Sequence, residues 1–200
     1  MSDVPAHGGV YRDRTFRDLR IAGELRDAAF HDCVFQGCDL REARLVGCRF
    51  ADSDFLECDL GLASVENTAF EGVTIEAGHA VGINWSVARV HPNRPLEVDF
   101  KDSVLSFATF ERLRLRRRRF EGCTVHEAIF AGCDLTDASF RGSDLGGTEF
   151  RDCDLSGADL RKARHYAIDV RRNVVRGLLV YLPEATGLLQ GLGVRIEEPT

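Results

Sequence analysis

The side chains with which this chain could ligate a metal, form disulfides or present a nucleophile are its seven cysteines and six histidines. The cysteines stand at 33, 38, 48, 58, 123, 133 and 153, and every position leaves the same remainder on division by five. The histidines, at 7, 31, 79, 91, 126 and 165, have no ligand spacing and no partnered serine or cysteine nucleophile. Asp39, Asp59, Asp134, Asp154 and Asp159 each precede a large apolar residue, which suits surface polarity and local turn bonding rather than acid/base work. There is no glycine-rich phosphate loop. No catalytic residue, metal site or cofactor is therefore expected. The strangest charged feature is basic: Arg112, Arg114, Arg116, Arg117, Arg118 and Arg119 fall within one short stretch. A solvated charged face is the plainer account of that stretch, and contact with an acidic partner surface or DNA the alternative.

The period that places the cysteines runs through most of the chain. Large apolar residues recur every fifth position, from Leu25, Phe30, Phe35 and Leu40 to Ile75, and again from Phe100 to Leu160. Two positions before each stands a small residue, such as Ala28, Cys33, Cys38, Ala128, Cys133 or Ser143. Such a unit buries nothing alone and must stack on copies of itself. Residue type also recurs at twenty, as in Phe30, Phe50, Phe70, Val90, Phe110, Phe130 and Phe150, so four pentads make one coil. The expected fold is an all-β, right-handed, four-sided β-helix of about seven to eight coils, roughly 35 to 40 Å long at a rung spacing of roughly 4.8 Å. Stacked cysteines one rung apart point in parallel, too far apart for the usual disulfide Cβ separation of about 3.5 to 4.5 Å, and are expected to be reduced core residues.

Residues 1–22 read as a lead-in cap, 23–180 as the solenoid and 181–200 as a C-terminal cap. Between 78 and 97 the pattern fails: Ala80 is small, Pro95 stands where a large residue belongs, and H-P-N-R-P at 91–95 is loop chemistry. The Phe column keeps its phase across this gap, so one distorted coil with no net insertion is expected. Trp85 falls on a centre position and is expected to plug the core there. Arg118 falls on an inward position, where either the corner bulges outward or the stem is buried and the head escapes. After Val180, Pro183 opens a short helix with Leu188, Leu189 and Leu192 on one side, and Val194–Glu197 reads as a strand. A two-fold dimer is expected through this apolar end, with Leu178, Leu179, Leu182, Leu188, Leu189, Leu192, Val194 and Ile196 at the interface.

The 200 residues suit one domain, and 44% hydrophobic content fills a long thin core. With no run of 18 apolar residues and a polar first stretch, neither a membrane span nor a signal peptide is expected, and the location is expected to be the cytoplasm. The net charge of −6 argues against general binding to nucleic acid or anionic membrane.

The units C-D-L-R-E at 38–42, C-D-L-T-D at 133–137 and A-D-L-R-K at 158–162 resemble the pentapeptide-repeat family over about residues 23–180. The length, the helix-and-strand tail, V-G-I-N-W-S at 81–86 and H-Y-A-I-D-V-R-R-N-V-V-R at 165–176 are similar to the subgroup containing Qnr and the immunity proteins for microcin B17 and albicidin. That resemblance implies a bacterial, DNA-like protector of DNA gyrase, and in some cases topoisomerase IV, against poisons that trap the cleaved complex. Qnr proteins of Gram-negative bacteria carry projecting loops that break the repeat, and the preserved phase here implies none. The candidate contact residues are the acidic column Asp54, Glu57, Glu76, Asp134, Asp137 and Asp154, which Arg114, Arg116 and Arg117 interrupt, together with Arg89 and Arg94 of the distorted coil. The alternative is a generic interaction scaffold, since fold alone does not fix function.

Overall fold

The computed structural model describes residues 4–91, 95–190, 192 and 194. Within each pentad three residues lie extended, with the central side chain inward, and the next two turn a corner. The residue two past most centres adopts positive φ, as at Gly37 (62°), Gly122 (65°), Asp52 (49°) and Asp102 (48°). Side chains with a Cβ lose roughly 1–2 kcal/mol in that conformation, least for Asp and Asn, which explains why glycine and aspartate recur at the corners. Four corners return the chain above its start, and every strand pairing is parallel.

Four faces result, named here by one centre residue each. Glu24–Arg26 and Arg44–Val46 pair on the Leu45 face. Val10–Arg12, Ala29–His31, Arg49–Ala51 and Ala69–Glu71 form the Phe50 face. Thr15–Arg17, Val34–Gln36, Asp54–Leu56, Val73–Glu76, Val98–Lys101 and Phe120–Glu121 form the Phe55 face. Single bridges from Asp39 to Asp59, His79, Val104, Thr124, Asp144 and Arg164 carry the Leu60 face.

The small inward residues close the gap between rungs. Their hydroxyl, thiol or amide donates to a carbonyl of the coil beneath: Thr68 Oγ1 to Leu45 O (2.7 Å), Ser143 Oγ to Phe120 O (2.5 Å), Cys48 Sγ to Leu25 O (3.3 Å) and Asn173 Nδ2 to Phe150 O (2.9 Å). Cysteine is thus used as a small, weakly donating core residue.

Two departures from the expected organisation are register events. The first coil begins inside the stretch read as a lead-in: Tyr11 pairs with Phe30 and Phe16 with Phe35, so the bottom coil is one residue short. That single missing residue shifts Tyr11 and Phe16 off the period and hides them in the sequence. The second departure overturns the expectation of no net insertion. Rungs below the gap advance by 20 residues, but across it Ile75 pairs with Phe100, His79 with Val104 and Asn84 with Thr109, an advance of 25. The extra pentad lies between Arg89, whose N–H still bonds Thr68 O as in a regular coil, and Glu97, whose N–H bonds Phe70 O. An inserted multiple of five preserves the pentad phase, so the period cannot report it. Phe110 consequently stacks on Trp85, with centroids 6.2 Å apart and planes 7° from parallel, rather than above Val90. Leu96 fills the inward place expected for Pro95 and is fully buried.

Trp85 is buried in the core as expected, edge-on to Phe70 (5.3 Å) and Phe100 (5.4 Å). Above it the column continues with Phe110 and Phe130 at 4.7 Å and an interplanar angle of 2°, while Phe130 stands at 88° to Phe140 on the opposite face. Stacking along a face and edge contacts between faces each add about 0.5–1.5 kcal/mol beyond burial. Phe130 touches rings above, below and beside it, so Phe130→Ala is expected to lower unfolding free energy by about 3–5 kcal/mol in urea denaturation; a loss under about 1 kcal/mol would contradict a column that carries load across rungs.

Candidate interaction surfaces

The acidic column expected from spacing is not one face. Because of the extra pentad, Asp54 and Glu76 lie on the Phe55 face with Glu57 at its corner, whereas Asp134 and Asp154 are bridged partners on the Phe50 face, above Arg114. Four of the six are also engaged locally, three of them by a basic side chain. Glu76 bonds Lys101 Nζ at 2.5 Å, Asp134 lies 3.5 Å from Arg116 and Asp137 lies 3.7 Å from Arg117. Asp154 accepts from the Ser156 backbone N–H at 2.9 Å, and hydrogen bonds from Ser156 hold its carboxyl below the usual range. The structure therefore gathers acid and base in alternation around the tower, without a continuous negative face among these residues.

Arg89 borders a shallow concavity of about 540 Å³ with Glu66, Asn67, Val87 and Val90. Arg94 and Ile196 lie outside the described residues, as does the expected strand at 194–197 apart from Val194. Arg118 resolves to the second alternative: its side chain is mostly buried and its head reaches Asp99 at 3.7 Å. At the C-terminal end Pro183 precedes a 3₁₀ turn, Glu184–Thr186, that runs into the one-turn helix Gly187–Gln190. Leu178 and Leu188 pack onto the core, but Leu179, Leu182, Leu189, Leu192 and Val194 are exposed, Leu182 most of all at 83%.

Two features escaped the sequence reading. Leu62 and Phe107 occupy the left-handed corner position (φ 59° and 62°) and are each 62% exposed, with Gly82 between them. Two large apolar residues where glycine or aspartate belongs are the signal that could have found them. His126 Nε2 and His165 Nδ1 both meet Asp144 Oδ1, at 3.1 and 2.8 Å. Their positions, 18 before and 21 after the aspartate, reveal the cluster only once the twenty-residue rung is known.

All seven cysteines are free and buried. Burial pushes Cys123 up to about 12 and raises Cys48; in the two stacked pairs the shared hydrogen bond raises Cys58 and Cys133, with burial adding to it, and lowers their partners Cys38 and Cys153.

Parallel coils, inward Phe/Leu centres and small donor residues define a right-handed pentapeptide-repeat β-helix. Models of the families described as "Pentapeptide repeat region" and "Pentapeptide repeats (8 copies)" match residues 18–85 and 128–164, together just over half of the sequence, and the chain belongs to the pentapeptide-repeat family. Among solved structures it is similar to full-length QnrB1, a plasmid-mediated fluoroquinolone resistance protein, at 20% identity and a TM-score of 0.52, covering 93% of this chain and 100% of that one. A trypsin-treated variant of QnrB1 gives 21% identity and a TM-score of 0.55, over 94% of this chain and 100% of that one. At this identity the likeness is one of fold. No curated protein matches the sequence.

The surface charge ladder also sets an acid limit. The Arg161 guanidinium, with the Arg161 N–H and Arg141, holds Asp159 down to about 2. A depressed folded-state pKa gives stability that is complete above the unfolded value of about 3.9 and is lost as pH falls toward about 2. Unfolding free energy is expected to decline over that window, and Asp159→Asn to flatten the decline; an unchanged acid profile in the variant would contradict the assignment.

Proposed function

We propose that this chain binds a bacterial type II topoisomerase, DNA gyrase or topoisomerase IV, in the cytoplasm and protects it from a poison that traps cleaved DNA. It would act as a resistance or self-immunity factor through binding, with no chemistry of its own. The observation that carries this reading is correspondence with the QnrB1 fold over 94% of this chain and 100% of that one. The hollows among the described residues open widely to solvent, which suits a binding surface better than a catalytic cleft. Among the described residues no helix is long and apolar enough to cross a membrane.

Charge magnitude limits how the tower imitates DNA. A dimer of roughly 75 Å would correspond to a duplex with about 44 phosphate charges at one per ~1.7 Å, against a formal −6 per chain. The imitation therefore rests on width and shape, with recognition concentrated at the interrupted coil, where Leu62, Phe107, Val87 and Val90 are exposed on the two edges of one face. Exposed apolar groups inside a polar surround are the usual anchors of a protein interface. The local pairing of Glu76, Asp134 and Asp137 favours the second reading, a generic interaction scaffold, over mimicry by charge alone.

Purified protein titrated into gyrase supercoiling and cleavage reactions with a quinolone, albicidin or a microcin-type inhibitor is expected to restore supercoiling and reduce cleaved complexes for at least one compound. No effect with any at micromolar dimer would leave the scaffold reading. The exposed tip, Leu179, Leu182, Leu189, Leu192 and Val194, supports a two-fold homodimer. The pair Leu182→Asp and Leu189→Asp is expected to convert a dimer to a folded monomer by light scattering; a wild-type monomer, or an unaltered dimer in the variant, would contradict that interface.

A further inference from the structure

The inserted pentad and the arginine run meet at one place. Two adjoining hollows share Pro95, Leu96 and Arg114 as walls. One, of about 390 Å³, is completed by Glu97, Arg116, Arg117 and Arg118; the other, of about 330 Å³, by Val90, His91 and Arg112. Arg114 Nη2 donates to His91 O at 3.1 Å and so ties the base of the inserted segment to the arginine rung.

The fold gains little from these arginines. Arg112 and Arg117 stand at left-handed corners (φ 53° and 58°), where glycine or aspartate is the easier residue. Arg118 occupies an inward place that alanine, serine or cysteine fills elsewhere. Their ion pairs are long: 3.5 Å for Arg116 with Asp134, 3.7 Å for Arg117 with Asp137 and 3.7 Å for Arg118 with Asp99. Asp99 is already held by Arg119, through the backbone N–H and Nε at 2.9 Å each. Guanidinium donors at these distances remain available to a closer anion, and arginine's planar fork matches phosphate oxygens.

We propose that the paired hollows bind a compact polyphosphate carrying a planar apolar group, the chemistry of a nucleoside di- or triphosphate. Arg116, Arg117 and Arg118 take the phosphates, and Val90 and Pro95 pack against the base. The hollows are of the size that suits a small ligand. A long polyanion is disfavoured, because the body around this basic spot carries net negative charge. The proposal stands apart from the topoisomerase reading and survives its failure.

Isothermal titration of the full chain with ATP, tripolyphosphate, adenosine and a short DNA duplex tests it. ATP is expected to bind, tripolyphosphate to bind more weakly, and adenosine and duplex not to bind at millimolar concentration, with ATP affinity falling as salt rises. Arg116→Gln with Arg117→Gln is expected to weaken ATP by about tenfold or more, since each lost charged hydrogen bond is worth about a factor of ten. Both residues are more than half exposed, so melting should be unchanged; Arg171→Gln, whose partner is Asp169 at the far end, should bind as wild type. Absence of ATP binding, equal binding of adenosine, tighter binding of the duplex, or indifference to the double substitution would each overturn the proposal.

Discussion

The interior of this tower is one side chain deep on each of four faces, and every inward residue must meet an equivalent residue one rung above and below. That stacking constraint governs the rest of the structure. It selects Phe and Leu at the centres, because flat rings 4.7–5.5 Å apart fill the rung spacing without voids. Beside each centre it selects a residue small enough for the corner, so alanine interchanges with serine, threonine and cysteine, and the latter three also donate to the carbonyl below. Cysteine in this protein is thus a packing choice with a weak donor.

The same constraint decides what an interruption does. A solenoid absorbs one extra pentad if the coils on either side stay in phase, and the coils that end at Arg89 and resume at Glu97 meet that condition. Above the insertion every column moves round by one face. Phe110 rises over Trp85, and acidic residues that share a column by arithmetic are parted onto neighbouring faces. The insertion also sets the arginine rung directly above His91 and Pro95, making a local basic hollow on a body of net charge −6. Topology, rather than overall composition, creates the surface on which the functional proposals rest.

Much of the fold was legible because its period is dictated by sterics: Phe35, Phe55 and Phe120 declare their inward positions, Cys33 and Cys133 the small positions, and Trp85 the plug. The arithmetic failed where the constraint is indifferent to it. Twenty and twenty-five leave the same remainder on division by five, so the insertion was silent, and the one-residue deficit before Leu25 hid Tyr11 and Phe16. The candidate site suffered more than the fold, since faces are assigned by the twenty-residue count that the insertion breaks. Outward residues obey no packing rule that a single sequence reveals, so the pairing of Asp134 with Arg116 and the convergence of His126 and His165 on Asp144 emerged only from the register.

The central claim is that His91–Pro95 amounts to one complete extra pentad in an otherwise regular tower. Removing those five residues joins Val90 to Leu96, places Val90 on a centre position and restores a twenty-residue rung, whereas removing only Pro92–Pro95 leaves every coil above out of phase. Thermal melting of the two deletion variants is the direct test. The account expects a cooperative transition near the wild-type temperature for the five-residue deletion and a large loss of stability for the four-residue one. Equal melting of both, or collapse of the five-residue variant alone, would contradict it.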